Sequence, residues 1–315
     1  MKERSYIAIV DIVKAAACIM IFLYHCNTIL PGEWKFITIF GQDLGNNLFF
    51  MVSGFALASS IDRTGWRGFP AWYLKRLVRI LPITIIAYIA AYIMGYYSFA
   101  DRAQLFAVFI YPTLYWFITC ILLFYIVLFA IAKITKAKVQ LFICMVLAVL
   151  YILLAGRQER LYVIGLLSML AGYITKNALD RMTENSGKKY LKYFMAELII
   201  SLPVFIVGEY TENKYLAAVL ILLSSQAGGT AMLSSGYICN EKLTGILSSR
   251  LRLRKTLKYI GDMALPLYLV QCFCSGYIGF WIGQHIDFPV SFLVNLIVVW
   301  VIGTLLYLCS LNALP

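Results

Sequence analysis

The sequence predicts an all-α bundle that crosses a membrane about ten times. Three observations carry that prediction: the composition, the length of the apolar runs, and the side on which the cations fall. Of the 315 residues 62% are hydrophobic and only 13% are charged. The mean hydropathy is +0.82. A soluble chain is about half apolar and a quarter charged. No water-exposed fold buries this much apolar surface, so lipid is the expected solvent for part of it.

A helix needs roughly 20 mainly apolar residues to span the hydrocarbon. Runs of that kind occupy 6–27, 39–60, 80–97, 104–132, 139–155, 161–176, 191–208, 214–238, 258–283 and 288–311. The first begins behind Lys2 and Arg4, as a secretory signal does, and Ala16-Ala17-Cys18 resembles a lipoprotein cleavage site. Asp11 and Lys14 interrupt the stretch before that site and the long hydrophobic core lies after it, so 6–27 is expected to be a retained span. The runs 139–155 and 161–176 are short, while 104–132 is long enough to tilt or to begin at the interface. The largest loops, 177–190 and 239–257, are short, polar and basic. The chain therefore reads as a single transmembrane domain over 1–315, with its chemistry in or at the edges of the bundle.

The cations fix an expected orientation. With the N-terminus in the cytoplasm, 21 of the 27 Lys and Arg fall on the cytoplasmic side and 5 outside, Lys14 lying within a span. One missed span would invert every later loop, so this asymmetry supports the register and puts both termini in the cytoplasm. The net charge of +12 is then a topology signal and not a nucleic-acid surface. The 8 cysteines contain no CxxC, and His25 and His285 are the only histidines. No zinc-type cluster is expected, and the thiols read as small buried hydrophobes.

Ionisable residues within spans are costly, so each one is a functional candidate. The first span carries Asp11, Lys14, Cys18 and His25. Lys14 and His25 are eleven residues apart, about 1100° of rotation, within roughly 20° of three full turns. They share a face, about 16 Å apart along the axis, with Asp11 one turn before Lys14 and able to pair with it. The bland alternative is an ion pair near the inner boundary with Lys14 snorkelling, and an interfacial histidine bonded to a carbonyl. In the second span Asp43, Asn46 and Asn47 lie at a depth similar to His25, while Ser53 and Gly54 allow close helix approach. The cytoplasmic loop that follows carries Arg76 and Arg79, three apart and suited to gripping a phosphate. Standing alone, such a pair is more often ordinary positive-inside flanking. Gly276, Gly279 and Gly283 are spaced for helix contact.

Taken in order, these segments resemble the acyltransferase family 3 membrane proteins. Lys14 and His25 are similar to the family's Arg/Lys-x10-His pattern. Leu48-Phe49-Phe50-Met51-Val52-Ser53-Gly54-Phe55 looks like its FF-x-x-SGF segment, and Lys75-Arg76-Leu77-Val78-Arg79-Ile80-Leu81-Pro82 like its R-x-x-R-I-x-P segment. Leu114-Tyr115-Trp116-Phe117-Ile118 resembles its LWF-type motif, and Tyr259-Ile260-Gly261 through Leu267-Tyr268-Leu269-Val270 its late YL segment. The sequence departs from the pattern in having Lys14 where Arg is common, Gln271 where His often follows, and no Trp-x-x-x-x-Glu.

The resemblance implies an O-acyltransferase that moves an acyl group, acetyl being the commonest, from cytoplasmic acyl-CoA to a hydroxyl of an envelope or exported carbohydrate. It implies a bacterial plasma membrane. Arg76 and Arg79 would hold the CoA phosphates, with the pantetheine arm entering past Lys14. His25 would serve as general base or transient acyl carrier, tasks that suit a neutral imidazole of ordinary pKa near 6.5. Lys14 would stabilise charge near the thioester or serve the CoA path alone. Asp43, Asn46, Asn47 and Trp116 are candidates for the acceptor. No metal and no nucleic acid are implied.

Two rivals stand beside this reading. A transporter or exporter of a glycan or lipid-linked substrate would suit ten spans with intramembrane Asp11, Asp43, Glu197 and Asp262, although no inverted repeat is visible. A non-catalytic scaffold or receptor would leave His25 dispensable. A GxSxG elbow, a Walker loop and HExxH are all absent from the sequence.

Overall fold

The computed structural model describes residues 7–95 and 116–312. Among them there is no strand, and twelve α-helices follow one another: α1 (Ala8–His25), α2 (Asn46–Arg63), α3 (Phe69–Ile93), α4 (Trp116–Ile134), α5 (Ala137–Leu153), α6 (Arg160–Asp180), α7 (Glu184–Glu209), α8 (Lys214–Ile238), α9 (Asn240–Ser249), α10 (Leu251–Phe273), α11 (Gly279–His285) and α12 (Val290–Asn312). Eight helical segments are long and apolar enough to cross a membrane. The bent pair Leu251–Gln271 and Cys274–His285 makes a ninth, and the 17-residue α5 is a shorter apolar helix. The chain is a polytopic helical membrane protein. A helix satisfies its own backbone, which is why lipid permits this architecture.

The helices run past the apolar runs at several places. Arg76 and Arg79 are not in a loop: α3 begins at Phe69, with Pro70 in its first turn, and carries both. The run 161–176 is the middle of a 21-residue helix that continues to Asp180. Buried Lys176 pairs there with Asp180 one turn on, and Tyr237 donates to the same carboxylate at 2.6 Å. Lys176 is thus a packed residue and not a loop cation. The basic stretch 239–257 is helical too, as α9 and the start of α10. The run 258–283 is not one straight span, because a π-helical turn over Cys274–Ile278 separates α10 from α11 with a 45° bend. Residues 104–115 of the fourth run lie outside the described residues.

The chain divides into two compact units. One comprises Met1–Ala17, Asp43–Gly65 and Val127–Asp262; the other comprises Cys18–Gln42, Trp66–Ile126 and Met263–Pro315. In the first unit α2 lies against α6 through two glycines that face each other's chain. A methyl at Gly54 would collide with the Met169 carbonyl, and one at Gly172 with the Met51 carbonyl. Small residues at a crossing let backbones approach and gain dispersion energy, the main attraction available between helices in lipid. Tyr151, Ile164, Leu167, Ala218 and Leu222 fill the space where α5, α6 and α8 meet. Asn240 accepts the Ala8 N–H at 2.9 Å, capping the first turn of α1. Much of the outer face of α5 is exposed and apolar, including Phe142 and Val149, as a lipid-facing surface requires.

In the second unit α12 packs on α3 and α11. Gly303 meets Leu267, and a methyl on Gly279 would press on Ile29 and on Asn295 Oδ1. Of the three late glycines only Gly279 makes such an approach: nothing lies within 4 Å of a methyl at Gly276, and the nearest atom to one at Gly283 is 3.9 Å away.

Candidate active site

His25 is the last residue of α1, half-buried, with the Tyr24 ring edge-on at 5.4 Å. The chain then tightens into a single turn, Cys26–Thr28, which buries Cys26. Beside this turn the second unit holds a polar cluster in apolar surroundings. Asn295, fully buried on α12, donates its Nδ2 to Ser275 Oγ at 3.1 Å and to Cys26 Sγ at 3.4 Å. Asn295 Oδ1 has no hydrogen-bond partner among the described residues. Ser275 sits in the π-helical turn, so the irregular backbone between α10 and α11 is what presents it. Four residues before it lies Gln271, 1% exposed, with neither Oε1 nor Nε2 partnered among the described residues. Gln271 and Tyr268 are three apart on α10, and Tyr268 packs on Phe117 of α4 at 4.7 Å, next to Trp116. The arrangement can hold a ligand by hydrogen bonds from neutral amides at the level of a histidine.

Lys14 and His25 lie on one unbroken helix, so the eleven-residue spacing expected from the sequence holds. Lys14 and Asp11 are both half-buried. Gly261, from the late motif, packs on Asp11, with a methyl there 3.3 Å from its Oδ1. On α3 the Arg76 guanidinium lies 3.6 Å over the Trp72 ring and donates Nη1 to the Trp72 carbonyl at 2.6 Å. Arg79, one turn on, is exposed, and Arg76 feels both Arg79 and the Tyr125 hydroxyl. The two cations thus differ in setting, one stacked and half-buried, the other exposed.

Asp43 belongs to the first unit and its partner is Arg160, at 3.2 Å, from the start of α6. Glu209 and the Tyr151 hydroxyl lie within the field of both. Asp43 Oδ1, Tyr151 OH and Glu209 Oε1 have no hydrogen-bond partner among the described residues. Asn46 and Asn47 are buried at the start of α2, and Asn47 donates to Ser225 at 3.4 Å. Trp116 is the first described residue of α4; Leu114 and Tyr115 of its motif lie outside the described residues. His285 is exposed and stacks on Trp281 at 4.5 Å, as an edge histidine does.

Sequence reasoning had not singled out Arg160, Tyr151, Glu209, Ser275 or Asn295. Asn295 alone carried a usable signal, as an amide in the middle of an apolar run. Among the described residues no three His, Cys, Asp or Glu gather to hold a metal ion. Comparison with curated proteins and with solved structures returns no match. Comparison with protein families does: residues 7–310 match the acyltransferase domain of acyltransferase family 3, and the chain belongs to that family, a membrane acyltransferase.

Proposed function

We propose that this protein is an O-acyltransferase of the bacterial plasma membrane that carries an acyl group, acetyl in the first instance, from cytoplasmic acyl-CoA to a hydroxyl of an envelope or exported carbohydrate. The observation that supports this most directly is the half-buried imidazole of His25 beside a cluster of buried neutral amides inside an apolar bundle. Neutral polar groups of that kind suit a thioester and a hydroxyl, neither of which is charged.

Both termini face the cytoplasm, on the cation asymmetry. Arg76 and Arg79 hold the donor's phosphates, and Lys14 lies on the donor's way along α1. At the thioester the acceptor oxygen forms a bond to the acyl carbon, the C–S bond breaks, and CoA leaves as the thiol. His25 takes the hydroxyl proton and returns it to the sulfur, or carries the acyl group between two such exchanges. Trp116 offers a flat apolar surface to the acceptor. Asp43, Asn46 and Asn47 offer hydrogen-bonding groups to acceptor hydroxyls, Asp43 through the oxygen that Arg160 does not engage.

The test uses labelled acetyl-CoA, added to the cytoplasmic side of membranes bearing the wild type or His25→Ala, with label followed into glycan and lipid fractions. Label with the wild type alone is expected. Equal labelling by a folded His25→Ala protein would remove the mechanism, and no label from acetyl or longer acyl donors would favour export without acyl transfer.

A further inference from the structure

The first unit contains a cavity of about 490 Å³ that none of the donor or acceptor assignments uses. It opens where the end of α2, the α4–α5 turn and the end of α6 come together, and Asp62, Thr135, Lys136, Gln140, Asn177 and Arg181 contribute its polar lining. These are ends that the cation asymmetry assigns to the cytoplasmic face. Asp62 is committed within the wall: its carboxylate accepts from the Tyr173 hydroxyl at 2.8 Å, and its carbonyl accepts from Lys133 at 3.1 Å. Gln140 is buried and ties its Nε2 to the Thr135 carbonyl at 3.2 Å, closing the turn that carries Lys136. The amides at the start of α5 add partial positive charge to the same wall.

We propose that this cavity is a lipid site, taking the phosphodiester and glycerol of an anionic phospholipid headgroup. Two cations, Lys136 and Arg181, face one carboxylate, Asp62, so the lining carries one surplus positive charge. That matches a single phosphodiester. Arg and Lys form charge-assisted bonds to phosphate oxygens, while Asn177 and the Asp62 carboxylate oxygen that Tyr173 does not engage offer groups for glycerol hydroxyls. The helix above the cavity supplies a place for the chains. On α5, Val139, Phe142, Val146 and Val149 are 46%, 59%, 49% and 57% exposed. Their spacing of three, four and three residues makes one apolar stripe, on the lipid-facing side of α5, about 150° around the helix from the cavity-lining Ala137 and Gln140. A lipid seated by its headgroup at the Lys136 side of the mouth would pass its chains around the start of α5 to reach this stripe.

The experiment compares the full-length protein with the double variant Lys136→Gln/Arg181→Gln, both positions being exposed. Each is purified in detergent and titrated with phosphatidylglycerol, phosphatidylethanolamine, inorganic phosphate or adenosine 3′,5′-bisphosphate. Bound species are counted by native mass spectrometry, and the thermal midpoint is followed in parallel. The wild type is expected to retain phosphatidylglycerol in preference to phosphatidylethanolamine, and to melt higher with it. The double variant, melting normally without lipid, is expected to bind it about tenfold or more weakly. Equal retention by wild type and variant overturns the proposal, as does equal retention of the two lipids. Stabilisation by inorganic phosphate or by the bisphosphate in place of the lipid overturns it too, and assigns the cavity to a soluble phosphate.

Discussion

Gln271 buries a complete amide, with neither polar atom bonded among the described residues. An unsatisfied buried polar group costs about 1–3 kcal/mol, and such a cost persists where function needs the group. Gln271→Met keeps the volume and removes both polar atoms. It should raise the thermal midpoint in detergent and lower acyl transfer, a split that a purely structural glutamine would not give. A lower midpoint with transfer intact would mean that the amide only holds the fold. Arg160 tests the other buried cluster. Arg160→Gln takes from buried Asp43 the cation it pairs with, so the variant should lose about 1–3 kcal/mol, and Arg160→Gln/Asp43→Asn should recover part of it, as thermal unfolding of both variants can show. The relations legible in the sequence were those along one helix, Lys14 and His25 on one face of α1 and Arg76 and Arg79 one turn apart on α3. Asp43 finds Arg160 across 117 positions, and periodicity carries no information about such a pair.

Contacts constrain the sequence closely at the α2–α6 crossing and at the start of α3. Gly54→Ala forces a methyl against the Met169 carbonyl, and backbone cannot yield as a side chain does, so a loss of at least about 1–3 kcal/mol is expected. Gly172→Ala should cost a similar amount, and the double variant less than the sum, because both act on one crossing. Melting curves of the three variants in detergent decide it. On α3, stacking on Trp72 makes Arg76 the more pre-organised of the two arginines. Arg76→Ala should raise the KM for acyl-CoA about tenfold with kcat nearly unchanged; an unchanged KM would return Arg76 to flanking duty. The glycine of the SGF segment was readable as a site of close approach. The extents of α3, α6 and α10 were not, because a run of apolar residues marks only the part of a helix that lipid must touch. The helix itself continues into basic residues of good helix propensity, and in α6 the Lys176–Asp180 pair extends it further.

At the scale of the molecule the topology turns on α5. Its 17 residues reach only about 26 Å, short of the roughly 30 Å of hydrocarbon, and every later loop changes side if α5 does not cross. The flanking charges argue that it does. Lys136 and Lys138 stand at one end and Arg157 at the other, and long cationic side chains extend a short span by snorkelling while the bilayer thins to meet it. A crossing also keeps Arg181, Lys188, Lys189 and Lys192 on the same side as Lys136, as the excess of cytoplasmic cations demands. Reporter fusions truncated after Lys136, Gln158 and Arg181 read this directly. A reporter active only in the cytoplasm should light up at Lys136 and Arg181 and stay dark at Gln158, and one active only outside should do the reverse. A cytoplasmic signal at Gln158 would mean that α5 lies in the inner interface. The later loops would then sit on the wrong side for the charge rule and the expected address of the C-terminus would have to be redrawn, while Arg76 and Arg79, which precede α5, would keep their side.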